Sequence, residues 1–328
     1  MAKTMTRPGG MVTMRVDRTV ASLRRIFIPH AASDAVSNEL DRLLRQQFAS
    51  EALGRVDEAG GLVVIGPSGS GKTTAIKHAI EQHKLLIATQ EDRTRPAVFV
   101  RVPAPASIKD LGAATLNALG WTVQVPSRWS AMERWRRVQN LLHDFRVRVL
   151  HFHEAQHLTT GKQKEMQATN DALKSRLQDP TWPVVLAISA TPEFQSILSQ
   201  DTQLLRRVVP LKIERMSLAS DRDEIRDALQ VYVQAARISP SDSIKSHDFC
   251  RRLMIAGDRL FALTCRMIVD GIEEALLEGA EELRIDHFAN AFRRRTGAMD
   301  AYNAFVADDY RKLDIYSILD QQSEEDRQ

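Results

Sequence analysis

Cysteine is almost missing from this chain of 328 residues: Cys250 and Cys265 are the two it has. Two cysteines in helical-looking segments build neither a disulfide framework nor a thiolate metal site, and they fit a reducing cytosol. Long apolar runs are missing as well. None reaches the 18 or so residues that would span a bilayer, and the Met1 segment lacks the apolar core of a signal peptide, so a soluble, cytoplasmic protein is expected. No internal repeat or low-complexity block is present, which sets aside solenoids and disordered tracts. What remains is 43% hydrophobic and 27% charged, enough to bury a full core in one large domain or a large plus a small one.

The net charge of +3 is spread unevenly. Lys3, Arg7, Arg15, Arg18, Arg24 and Arg25 face only Asp17 across the N-terminal stretch. The far end reverses sign, with Asp308, Asp309, Asp314, Asp320, Glu324, Glu325 and Asp326 against Arg311, Lys312 and Arg327. Such ends are either solvated or contact nucleic acid or a partner.

The first 30 residues read as irregular. Ser33 to about Arg55 carries Val36, Leu40, Leu43, Leu44 and Phe48 at helical spacing, with Ser33 and Asp34 as caps. The period then changes. Leu62–Ile65, Val98–Val102, Val147–Phe152 and Val184–Ile188 are short, valine-rich apolar runs separated by helical stretches, the pattern of buried parallel strands. Gly120–Ser127, flanked by Trp121 and Trp129, reads as a loop. From Met216 strands stop, and helices are expected at about Asp221–Ala236, Ser246–Ala256, Arg259–Leu277 and Ile285–Arg295. Past Gly297 comes a tail with Tyr302, Phe305, Tyr310 and Tyr316 as aromatic anchors.

Gly66, Pro67, Ser68, Gly69, Ser70, Gly71, Lys72, Thr73 and Thr74 spell GPSGSGKTT directly after an apolar strand and before a helix. A phosphate chain needs donors converging from several directions, and a glycine-rich turn at a helix N-terminus supplies backbone N–H groups and the positive end of the helix dipole. Lys72 is expected to reach the β and γ phosphates of ATP, with the Thr73 hydroxyl on Mg2+. Hydrolysis further calls for a magnesium-supporting carboxylate and a base at the end of a second buried strand. VRVLHFHEAQH, Val147–His157, places Glu154 where the base and metal-side carboxylate belong, but His153 stands where aspartate is usual. A neutral imidazole lacks the carboxylate's charge, so either another group compensates or hydrolysis is slow.

The same residues spell H-E-x-x-H through His153, Glu154 and His157. The zinc-protease motif must lie on a helix, whereas this one ends a strand pattern with no third ligand in view. HEAQ with Ser189, Ala190 and Thr191 also looks helicase-like, but a helicase needs a second strand-containing motor domain, and only helices follow Met216.

With the Walker A loop, HEAQHL, ISATPEF and LLRRVVP in view, the chain resembles the TniB/TnsC family of transposon AAA+ ATPases from about Ile26 to Phe305. The likeness includes IPHAAS before the first helix, the AGDRLFALTCRMIVDGIEEALLEG helix and AYNAF, where Ala304 replaces the proline of the family's Asn-Pro-Phe. It implies an α/β AAA+ P-loop NTPase core, a parallel sheet flanked by helices, followed by a small all-α lid domain. The expected division is 1–57, basic segment and first helix; 58–216, nucleotide-binding core; 217–297, lid; 298–328, acidic tail for partner contact. Ser189 and Thr191 resemble sensor 1, with Thr191 the better match; helix capping by Thr191 is the alternative. Arg207, with Arg206 beside it, is similar to the arginine finger that reaches a neighbour's ATP, and Arg259 is a looser match to sensor 2.

ATP and Mg2+ are the implied cofactors. The implied partners are double-stranded DNA, a transposase, a TniQ-like or other target-selection protein, and further copies in a ring or filament. Lys109, Arg128, Lys162 and Lys164, in loops or helix starts after strands, are the candidates for phosphate contact with duplex DNA. Two other classes stay open: a non-hydrolysing, nucleotide-gated scaffold, and another AAA+ DNA protein such as a helicase loader or replication initiator. The target selector, a CRISPR complex or a DNA-binding protein, is left open by the sequence.

Overall fold

The structure, a computed structural model, describes residues 10–87, 94–160, 163–179 and 181–314. It falls into two compact units. One is Pro29–Ser68 with Lys72–Ile213; the other comprises the described residues of Met1–Ile28, Gly69–Gly71 and Glu214–Gln328.

The described residues before Ser33 are not all irregular. Gly10–Leu23 forms a helix, α1, that packs on two helices of its own unit introduced below. Val16, Val20 and Leu23 lie on one face at helical spacing and are 5% exposed or less, while Arg15 and Arg18 point outward. The first sheet-unit helix, α2 (Ala31–Ala52), starts two residues earlier than expected, with His30 as its N-cap. Ser33 is therefore not the cap. Its hydroxyl sits inside the first turn, accepting from the His30 N–H at 2.9 Å and donating to the His30 carbonyl at 2.7 Å.

The sheet unit continues through β1 (Gly61–Ile65), α3 (Lys72–Gln82), β2 (Ala97–Arg101), α4 (Ile108–Ala118), α5 (Ala131–Asp144), β3 (Val149–His153), α6 (Gln163–Leu177), β4 (Val185–Ala190), the short α7 (Gln195–Gln200) and α8 (Thr202–Leu205), and β5 (Val208–Lys212). All five strands are parallel, in the order β2-β3-β4-β1-β5. Every residue of β1 and β4 is buried, as continuous Val, Ile and Leu runs require when both faces are covered. The fifth strand is absent from the sequence expectation. Its proline, Pro210, argues against a central strand, but β5 is an edge that pairs with β1 alone, where a missing N–H does no harm. The expected loop joins α4 to α5, anchored by Trp121 and Trp129 at 5.8 Å with the Arg137 guanidinium 4.1 Å over Trp129.

The second unit holds α9 (Arg222–Ala236), β6 (Ser239–Pro240), α10 (His247–Ala256), α11 (Phe261–Glu278), β7 (Glu282–Leu283) and α12 (Ile285–Thr296). Strands do not stop entirely at Met216, since β6 and β7 form a two-residue parallel pair. Within this unit α1 lies against α9 and α11. Gly271 lets α12 approach α11 closely: a Cβ there would meet the Phe288 ring at 2.6 Å. Phe249, Phe288, Phe292 and Phe305 form one aromatic cluster with centroids 4.8 to 6.2 Å apart.

Residues 298–314 are docked rather than loose. Asn303, wholly buried, donates to the Ala289 carbonyl at 2.9 Å and accepts from the Phe305 N–H at 3.0 Å. Arg252 donates to the carbonyls of Ala304 and Ala307 and lies 4.2 Å over the Tyr310 ring, whose hydroxyl donates to Asp248. Tyr302 is exposed, and Tyr316 lies outside the described residues. Among the described residues no helix is long and apolar enough to cross a membrane.

Candidate nucleotide site

The carboxyl end of β1 runs straight into the glycine-rich loop, and α3 begins at Lys72. Gly69 (φ +80°) and Gly71 (φ +90°) hold the left-handed conformation that glycine alone adopts without strain. The loop is tied to the sheet by the Gly66 N–H, which donates to the Ala190 carbonyl at the end of β4. Lys72 Nζ donates to the carbonyls of Gly66 at 2.9 Å and Pro67 at 2.7 Å, which leaves one of its three hydrogens. Burial pushes the Lys72 ammonium below its usual range, opposed by the more distant carboxylates of Glu154 and Glu193. A buried cation without a close carboxylate is a site for an anion. Ser70 Oγ, buried at the same loop with no partner, is a second donor of that kind. Pro67 is half-buried, while Ser68 and Thr74 are exposed. The donor set fits a phosphate chain.

Beside the loop, Thr73 Oγ1 lies 3.2 Å from Ser189 Oγ on β4. The β3–β4 register pairs His153 with Ser189, so His151, His153 and Ser189 share one face of the sheet. Ser189 Oγ is also 3.2 Å from His151 Nε2. Burial, with lesser repulsion from His153 and Lys77, lowers the His151 pKa to about 3. The half-buried His153 is lowered by burial first and then by Lys77, against the attraction of Glu154. Both shifts favour the neutral imidazole, and neither ring can bring a negative charge to this face. The Thr73 hydroxyl, in the first turn of α3, suits Mg2+, which keeps several waters and takes few protein ligands.

Glu154 follows β3 with φ +61°, a left-handed conformation that a non-glycine residue holds only under constraint. Gln156 supplies part of that constraint: its Nε2 donates to Glu154 Oε2 at 2.6 Å, and its Oε1 accepts from the Thr191 N–H at 3.3 Å. Thr191 precedes a short 3-10 turn, yet its side chain caps no N–H there. The Thr191 hydroxyl bonds the Glu193 carboxylate, holding it below the usual range. Sequence reasoning named neither Gln156 nor His151. The Gln of HEAQ was a visible signal, whereas His151 acquires its partner only through strand register. The zinc motif fails in the structure: His153 ends a strand, a 3-10 turn spans Ala155–Thr160, and among the described residues no group of three or more His, Cys, Asp or Glu side chains could hold a metal.

Arg206 is exposed just before β5. Arg207 donates through Nε to Glu58 Oε2 at 2.9 Å and through Nη1 to the Gln203 carbonyl at 2.9 Å. Its own carbonyl accepts from Gly61 at the amino end of β1. Arg259, in the second unit, has φ +56° and donates from Nε to the Met216 carbonyl at 2.8 Å. Lys109, in the first turn of α4, donates to the Ser127 carbonyl at 2.7 Å, and Arg128 is exposed in the same α4–α5 connection. Lys164 falls in the first turn of α6, and Lys162 lies outside the described residues.

No curated protein sequence matches the chain. Several solved structures share its fold at low identity. The Orc1 protein of Aeropyrum pernix, solved in complex with DNA, aligns at 14% identity and a TM-score of 0.60 over 85% of this chain and 70% of its own. The Orc2 protein of the same organism, solved in ADPNP and ADP complexes, aligns at 15% identity and a TM-score of 0.58 over 86% and 72%. Cdc6p of Pyrobaculum aerophilum aligns at 15% identity and a TM-score of 0.54 over 82% and 69%. These likenesses establish an AAA+ P-loop fold. The family model of the bacterial TniB protein matches residues 20–218, more than half of the chain. The strand ends at Ile65, His153 and Ala190 that flank the candidate site all fall inside that match, and the chain belongs to the TniB family.

Proposed function

We propose that this chain is an ATP-dependent, DNA-binding AAA+ regulator of DNA transposition that assembles on duplex target DNA and links a target-selection protein to the transposase. The loop Gly66–Thr74 holds the phosphates of ATP, with Lys72 as the cation and Thr73 and Glu154 on the Mg2+ side. Bound ATP supplies a compact negative charge that an arginine can recognise.

The position of Arg207 carries the reading. It sits beside Gly61 at the amino end of β1, whereas the phosphate loop leaves the carboxyl end. Five residues of strand separate the two by roughly 16 Å, so a phosphate contact by Arg207 falls on a neighbouring copy. To make it, Arg207 must exchange Glu58 for that phosphate. Thr191 reports on the site as sensor 1, while Arg206 and Arg259 supply further positive charge to nucleotide. Arg128, Lys109, Lys162 and Lys164, repeated around an assembly, face duplex phosphates. The acidic residues past Gly297 serve partner contact.

The test is Arg207→Ala. The variant should stay folded and bind ATP, yet fail to form rings or filaments with ATP and duplex DNA in electron micrographs. A charge-assisted contact of about 1.5–3 kcal/mol is lost at every junction. Normal assemblies from the variant would make Arg207 a surface arginine and move the interface elsewhere. His153 favours a second reading, a nucleotide-gated scaffold without turnover, and absence of ATP hydrolysis by the DNA-bound wild type selects it.

A further inference from the structure

Three polar side chains run in series from the phosphate loop into the sheet: Thr73 Oγ1, Ser189 Oγ and His151 Nε2, with 3.2 Å at each step. Ser189 is 1% exposed and His151 fully buried. The other ring nitrogen of His151, Nδ1, is buried without a hydrogen-bond partner. An unpaired buried polar atom costs about 1–3 kcal/mol, and an apolar residue at this strand position would avoid that cost. The surroundings would accept one, since the Phe99 ring stands edge-on to the imidazole at 5.6 Å. Packing alone does not ask for histidine here.

Counting hydrogens indicates a task for the imidazole. Each hydroxyl has one hydrogen to give. A divalent cation on Thr73 Oγ1 occupies a lone pair, so the Thr73 hydrogen must turn to another acceptor, and Ser189 Oγ is within reach. With Thr73 donating, the Ser189 hydrogen goes to its other partner, His151 Nε2. Were the Ser189 hydrogen aimed at Thr73 instead, it would confront the cation's charge.

We infer that His151 is a positioning residue for the divalent cation of the nucleotide site: it accepts the Ser189 hydrogen at Nε2, and Ser189 in turn holds Thr73 Oγ1 with a lone pair free for the metal. This rests on the ATP and Mg2+ reading given above. It gives the cation side an anchor that does not depend on the aspartate missing at position 153. Pre-setting both hydroxyls removes reorganisation that metal binding would otherwise require.

The experiment measures binding of a fluorescent ATP analogue by the full chain in EDTA and across a Mg2+ titration. The readout is the ratio of affinities with and without metal. In His151→Leu and in Ser189→Ala this ratio should fall about tenfold, the usual size of an outer-sphere defect. The double variant should lose no more than either single one, because both cut the same series. His151→Gln, whose Oε1 can accept the Ser189 hydrogen, should recover most of the Mg2+ response. A purely structural histidine would weaken both affinities together and leave the ratio intact, and that result, or additive losses in the double variant, overturns the inference. Should His151→Leu fail to fold, Ser189→Ala and His151→Gln read the same step. A wild type that binds no analogue brings down the nucleotide site itself; a wild type that binds, with unchanged ratios in the variants, brings down the relay alone.

Discussion

The carboxyl ends of β1 and β3 lie on the same edge of one sheet with β4 between them, yet they are built differently. The β1 end is made mostly of backbone: two left-handed glycines, a helix start and one lysine folded onto the loop's own carbonyls. The β3 end is made of side chains, with His151 and His153 on one face and a left-handed Glu154 held by Gln156. A backbone device leaves little freedom in sequence, because its φ angles admit few residues. A side-chain device can be rebuilt from other groups. On the proposed ATP reading, gripping phosphate and turning it over are thus separable properties of this sheet edge.

The largest effect should come from the β1 end. Lys72→Ala removes the cation facing two phosphates, and ATP affinity by calorimetry should drop by about a hundredfold, the upper range for a charged hydrogen bond. Unchanged affinity would mean the loop is not the site. At the β3 end binding should survive. Glu154→Gln should bind ATP normally while turnover, if the wild type shows any, falls about a hundredfold through loss of the group that orients water. His153→Asp restores a carboxylate, and turnover measured by phosphate release should rise about tenfold, with shorter-lived assemblies on DNA. No rise would mean that the metal side is completed by other groups, Ser189 foremost. The smallest change is Gln156→Ala, which frees Glu154 from its 2.6 Å bond. Loss of one hydrogen bond of about 1 kcal/mol should alter turnover severalfold and leave ATP affinity as it was.

The contrast also explains what the sequence made legible. GPSGSGKTT is a contiguous backbone motif, so its place between β1 and α3 could be read without coordinates. Four strands were readable because their short runs are apolar and valine-rich. The fifth was not, since β5 carries Pro210, follows Arg207 and ends on Lys212. The Thr73–Ser189–His151 series joins residues 116 and 38 positions apart, and only the pairing of β4 with β1 on one side and β3 on the other aligns them. The docking of residues 298–314 was legible in part, through Phe305 and Tyr310 as expected anchors. Asn303 looks like an ordinary polar tail residue until Ala289 is set beside it.

Helix α1 has a consequence for biosynthesis. Its apolar face, Val16, Val20 and Leu23, has its partners on α9 and α11, more than two hundred residues downstream. At typical ribosomal speeds the segment waits on the order of ten seconds or more for those helices to be translated. During that interval a short amphipathic stretch with outward arginines is free to meet chaperones, anionic surfaces or its own neighbours on a polysome. A chain shortened to begin at Pro29 would escape that wait, but it would leave the matching faces of α9 and α11 uncovered in the finished molecule, with poor solubility as the outcome to expect.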